Sequence, residues 1–296
     1  MSSDGRARSG NYSGPMAAEV IREFVNRDGV GVVDVVRLPD RQVFLTIGGE
    51  TAFQTGWDIC DTCRYIFSKV HGAQRLTDGS SREVADELSA ALQNVRTMPD
   101  IEVLGKFASV LAPGAYTVAL ANLRPALVMP GAEGDYFTHE AVATWGVDPY
   151  FGVGHFPNTP YYRLGTVDMG ALHHGSNRLG VILGAPLFPP TQEIMNSQEV
   201  IASYRAILRD EAAKPTVLAL GLVDERGPAV WGDPAPQFTR HLIVTLFILD
   251  GHHKIAAAAA DGLPIQFLVF APHSHLGRNW QEVVDEGVDL LVSQAA

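Results

Sequence analysis

From residue 178 onward the apolar positions fall into short blocks separated by Gly, Pro and charged residues. RLGVILGAPLF reads as a strand ending at Pro189 and Pro190, which cannot donate to a ladder. NSQEVIASYRAILRDEAA spaces Val200, Tyr204 and Leu208 four apart behind Asn196 or Ser197, so a capped amphipathic helix is expected. PTVLALGLVD and QFTRHLIVTLFIL have strand character, IAAAAADG is a helix closed by Gly262, and PIQFLVF is a further strand. The predicted order is strand, helix, strand, strand, helix, strand.

The first half is more mixed. AAEVIREFV has helical spacing, whereas GVGVVDVVRL and QVFLTIGG are β-branched runs flanked by Gly, Pro and Asp. A short helix is expected over RYIFSKV. SSREVADELSAALQNV opens on serines, carries acids in its first turn and places Val84, Leu88 and Leu92 on one face, as a capped helix does. AYTVALANLRPALVM predicts two strands broken at Pro125. The stretch 130–178 is rich in Gly, Pro and aromatic residues, which favours a packed connection over a disordered one. The pattern thus predicts an α+β protein. A disordered tail (1–15) precedes a mixed-sheet α+β region (16–150), an aromatic connection (151–178) and a C-terminal α/β domain (179–296).

Composition narrows the partners. The chain has 296 residues, 46% of them hydrophobic, enough for a sizeable core. With 22 basic and 33 acidic residues its formal charge of -11 is a poor match to nucleic acid. The first residues are small and polar, and no window reaches the ~18 apolar residues that a membrane span requires. A soluble, cytoplasmic protein is expected, with no membrane partner.

The chemistry concentrates where a strand meets the alanine-rich helix, in Asp250, Gly251, His252, His253 and Lys254. Gly251 permits a tight turn, and Asp250 is a candidate cap for the amides that follow. A helix N-terminus is an anion site by virtue of its unpaired N–H groups and partial positive charge. Lys254 in that first turn opposes the dipole unless a negative group compensates, which points to a phosphate or carboxylate ligand.

The stretch LDGHHKIAAAAADGLPIQFLVF, with the strand and helix from 180 to 224, resembles the ParB/sulfiredoxin-like superfamily, in which a strand runs into a Gly-x-His-Arg-type turn and then a helix. The resemblance implies that the turn cradles nucleotide phosphates, with Asp250, Gly251, His253 and Lys254 on the phosphate side. Two positions depart from the superfamily pattern. Lys254 replaces the usual arginine and lacks its bidentate fork. His252 stands where sulfiredoxins carry their reactive cysteine, so sulfinic-acid repair is not expected. The superfamily includes free-serine kinases that use ATP or ADP, and there a glutamate near the first helix assists the acceptor. Glu193 and Glu199 occupy that region here. The whole chain also resembles bacterial proteins that combine an early C-x-x-C with a late Asp-Gly-His-His-Lys.

The expected function is a nucleotide-dependent phosphotransferase acting on a small hydroxylated metabolite, such as a free amino acid, with ATP or ADP and Mg²⁺. Asp250, His252, Glu193 and Glu199 are its catalytic candidates, and Gly251, His253 and Lys254 its phosphate-binding ones. Asp250 serves either as metal ligand or as base. Cys60 and Cys63 in GWDICDTCRYIFSKVHG support an alternative, a zinc-binding protein with structural or hydrolytic metal, with His71 the nearest further ligand and His252 or His253 possible across the fold. The same pair is compatible with redox chemistry or plain packing. A non-catalytic nucleotide-sensing module is the remaining alternative. His173–His174 and the His273–His275 stretch read as polar turns, and no nucleophile elbow or P-loop occurs.

Overall fold

Twelve strands and three α-helices carry the described part of the chain, which in this computed structural model comprises residues 20–37, 43–54, 90–128, 161–164, 173–174, 177–186, 197–210, 212–226 and 240–273. In order they are β1 (Val20–Asn26), β2 (Val33–Arg37), β3 (Val43–Ile47), β4 (Glu50–Gln54), α1 (Ile101–Phe107), β5 (Gly114–Leu123) and β6 (Pro125–Val128). Then follow β7 (Tyr161–Leu164), β8 (His173–His174), β9 (Asn177–Pro186), α2 (Gln198–Leu208), β10 (Thr216–Arg226), β11 (Arg240–Asp250), α3 (His252–Asp261) and β12 (Ile265–Pro272). Among the described residues no helix is long and apolar enough to cross a membrane.

The protein is α+β, built on a mixed sheet. Its main sheet has nine strands in the order β1-β5-β12-β10-β11-β9-β7-β6, with β8 paired to β9, while β2, β3 and β4 form a separate antiparallel sheet. Among the described strands, only β10–β12 and β11–β9 are parallel. β5 and β6 are separated by Arg124 alone, yet they stand near opposite ends of the pairing path, so the sheet curls until the path returns to the same stretch of chain.

The boundary expected between residues 150 and 179 does not divide this sheet. β12 pairs with β5 over eight residues, from Ile265↔Leu123 to Pro272↔Tyr116, placing a C-terminal strand directly against an N-terminal one. The period of each strand is local, whereas the choice of neighbour depends on long-range burial.

Residue alternation gives the sheet two buried faces. Leu218, Leu220, Leu222, Phe247, Leu268 and Phe270 point to one side, where Phe24, Val33, Leu45, Leu92, Leu104 and Phe107 cover them. Val217, Ala219, Val244, Leu246, Ile248, Phe267 and Val269 point to the other, where Ile255 and Ala258 of α3 and Tyr162 and Leu164 of β7 close over them. Each large apolar side chain enclosed in this way contributes roughly 1.5–3 kcal/mol relative to exposure.

Three expected elements differ. The stretch read as helical, AAEVIREFV, contains β1: Glu23 and Val25 are exposed while Phe24 and Asn26 are buried, a period of two that pairs with β5. Pairing wins over helical spacing because it buries Phe24 and lets the Asn26 amide donate to the carbonyls of Ala108 and Leu111. His173–His174 forms a short strand against Asn177 and Arg178 rather than a turn. In α2 the buried residue is Ile201, while Val200 is exposed. Of the helix expected around SSREVADELSAALQNV, residues 90–95 lie within the described residues: Ala90 and Ala91 are helical and the chain turns at Leu92 and Gln93; the RYIFSKV helix lies outside them.

Candidate functional site

β11 ends at Asp250 beside the start of β10, and α3 leaves from the same point. Gly251 makes the turn with φ 107°, a left-handed conformation that glycine alone adopts at little cost. A Cβ there would lie 3.1 Å from Val217 Cγ2 and 3.2 Å from Val217 Cα, so close approach of helix to sheet is a second reason for glycine. Alanine serves the same approach about two turns later, with Ala257 and Ala258 fully buried. The helix closes at Gly262, as predicted: this residue is left-handed at φ 62°, and Leu263 N–H donates to Ala258 O at 2.9 Å.

Lys254 points inward. It is 2% exposed, and its Nζ donates to Asp250 Oδ2 and to the Thr216 carbonyl, each at 2.9 Å. The negative group that offsets a lysine in the first turn is thus supplied by the chain itself. It follows that Asp250 is not the cap of the helix: among the described residues no side chain caps the first turn of α3, because the Asp250 carboxylate is turned to the lysine. A buried ammonium demands a partner more strongly than a peptide N–H, since an unpaired buried charge costs more than an unpaired dipole. The Asp250 side chain retains 37% of its exposure and still presents itself to solvent.

His252 opens the helix. Its side chain is partly buried, and its Nε2 is fully enclosed with no hydrogen-bond partner among the described residues. Burial pushes its pKa down to about 4; the Asp250 carboxylate opposes that shift and His253 adds to it. The imidazole is therefore neutral near pH 7. Because the folded pKa lies below the ordinary 6.5, the unfolded chain binds more protons between these values. Stability is expected to fall as pH drops from about 6.5 to about 4, by up to ~1.4 kcal/mol per unit, and His252→Gln is expected to flatten that segment of a urea-denaturation pH series.

The other candidates are dispersed. Glu199 is exposed in the first turn of α2, with no hydrogen bond or ion pair to the corner among the described residues. Its acid favours the helix dipole. Glu193, Cys60, Cys63 and His71 lie outside the described residues. Among those that are described, no group of three or more His, Cys, Asp or Glu side chains is placed to hold a metal ion. α2 packs on α3 and is tied to its end by Arg205 and Arg209, both paired with Asp261.

Two polar contacts escaped the sequence reading. Thr216, which receives the Lys254 ammonium on its carbonyl, looks like an ordinary strand residue, and only its place beside α3 gives it that role. His273, expected in a solvated turn, is half-buried, and its Nε2 lies 2.6 Å from Thr117 Oγ1. No protein family, curated protein or solved structure matches the chain.

Proposed function

We propose that the corner at 250–254 binds the phosphates of a nucleotide, ATP or ADP with Mg²⁺, and that the protein transfers a phosphoryl group to a small hydroxylated metabolite. The observation that carries this reading is the enclosed Nε2 of His252, without a hydrogen-bond partner among the described residues, at the start of a helix that no described side chain caps. A buried polar atom without a partner is costly, and an incoming ligand group would satisfy it. The first-turn amides and the helix dipole supply the complement to phosphate oxygens. The likeness of this turn to the ParB/sulfiredoxin-like superfamily points the same way.

In this reading His252 hydrogen-bonds the ligand as a neutral imidazole, able to donate or accept according to its tautomer. Mg²⁺ commonly takes one or two carboxylates together with substrate phosphates, so Asp250 suffices on the protein side without a larger acidic cluster. When bound, the ion would offset charge on the transferring group. Asp250 is also the nearest carboxylate to accept the acceptor's hydroxyl proton as that oxygen attacks phosphorus and the bond to the leaving phosphate breaks. One carboxylate is not asked to do both at once. Glu193 and Glu199 remain the other candidates for acceptor activation, and Gly251 makes the turn that sets the first amides of α3 beside Asp250.

Thermal-shift measurements with ATP, ADP and CTP, each with Mg²⁺, test the binding. At 100 times Kd a ligand adds about 2.7 kcal/mol of stability, and His252→Phe is expected to abolish most of the shift. No shift with any of the three nucleotides overturns the reading. Mass-spectrometric detection of a phosphorylated small molecule then separates transfer from nucleotide sensing alone.

A further inference from the structure

We infer that Lys254 is a positioning residue for Asp250 and makes no contact with phosphate. This inference rests on the proposed binding at the same corner, and it reverses the role that a lysine in this motif is expected to play. The ammonium is buried to 2% exposure and is already engaged by Asp250 Oδ2 and Thr216 O, both at 2.9 Å. Reaching a ligand outside would require breaking both contacts and leaving the Asp250 carboxylate alone. The two residues lie four apart, Asp250 at the end of β11 and Lys254 within α3, so their pairing spans the left-handed Gly251 and fixes strand against helix. Thr216 brings in the start of β10, making the ammonium the point where three elements meet.

This arrangement divides the work of the corner. Backbone amides of the first turn and the His252 imidazole face the phosphates, while Lys254 holds the Asp250 carboxylate in the orientation that meets the metal or the acceptor. The usual fork of an arginine is not needed at a position that touches one carboxylate and one carbonyl.

A double-mutant cycle with Asp250→Asn and Lys254→Met, read by calorimetric titration of ADP with and without Mg²⁺, tests the assignment. Lys254→Met is expected to weaken Mg²⁺-dependent ADP affinity about tenfold when Asp250 is present and less than twofold in the Asp250→Asn background. Equal losses in both backgrounds, or a loss that persists without Mg²⁺, would mean that Lys254 meets phosphate itself. Should Lys254→Met not fold, acetylation of the wild-type protein supplies the answer. Lys254 is expected to resist acetic anhydride equally with and without ADP, and a lysine that reacts freely but is protected by ADP overturns the proposal. If wild type binds no ADP at all, the phosphate reading fails on its own. The Lys254–Asp250 coupling is then judged by the same cycle in urea denaturation, where additive single effects would refute it.

Discussion

Phe270→Ala is expected to lower the free energy of unfolding by about 3–5 kcal/mol, the range for removing a fully buried aromatic ring from a core. Phe270 is 0% exposed on β12, and its ring packs edge-on against Phe24 of β1 at 5.8 Å between centroids and against Tyr116 of β5 at 6.3 Å. The residue therefore joins a strand near the C-terminus to two strands from the N-terminal region. Urea denaturation followed by both far-UV circular dichroism and tryptophan fluorescence checks the expectation. Coincident transitions, shifted together to lower urea, are the expected outcome for one shared sheet. Two separate transitions, of which Phe270→Ala moves only the later part of the chain, would show that the two halves stand independently.

Gly251→Val is expected to cost about 2–6 kcal/mol and to remove ligand-induced stabilisation as well. Two penalties combine at this site. A β-branched residue at φ 107° is strained by roughly 1–3 kcal/mol, and the added side chain meets Val217 at 3.1 Å, an overpacking worth roughly another 1–3 kcal/mol. Gly251→Ala carries the backbone penalty with less crowding and should fall between wild type and Gly251→Val in denaturation midpoint. If Gly251→Val were as stable as wild type, the left-handed turn that aims the first amides of α3 would not be the native geometry.

Both substitutions act through features that differ in how far the sequence announces them. Gly251 and Gly262 mark the ends of α3, and each is left-handed as a turn out of a strand and a helix C-terminus demand. The near-continuous apolar runs in TVLALGLVDER and RHLIVTLFILD, bounded by charged residues, are enough to place β10 and β11. Nothing in the spacing of PIQFLVF says that its neighbour is GAYTVALANL, because a pairing between residues more than a hundred positions apart leaves no local period. The place of β5 and β6 near opposite ends of the pairing path is hidden for the same reason, since the break expected at Pro125, which falls at Arg124, looks like any strand end.

The candidate site divides along the same line. A basic first turn is visible in the residues themselves, and so is the need for a compensating negative charge, whereas Asp250 reads there as a cap for the helix. What supplies that charge depends on side-chain direction: Asp250 and Lys254 turn towards one another across Gly251, and the Thr216 carbonyl completes the ammonium's shell. His252 is a catalytic candidate from the sequence, but only packing encloses its Nε2, with no hydrogen-bond partner among the described residues. The sequence by itself determined the strand and helix order from about residue 178 onward and the residues that make up the 250–254 corner, because propensity, period and turn residues act within a few positions. The tertiary structure decided the strand neighbours, the conversion of a helical-looking segment into β1 and the inward turn of Lys254, because burial and charge pairing act between residues that only the fold brings together.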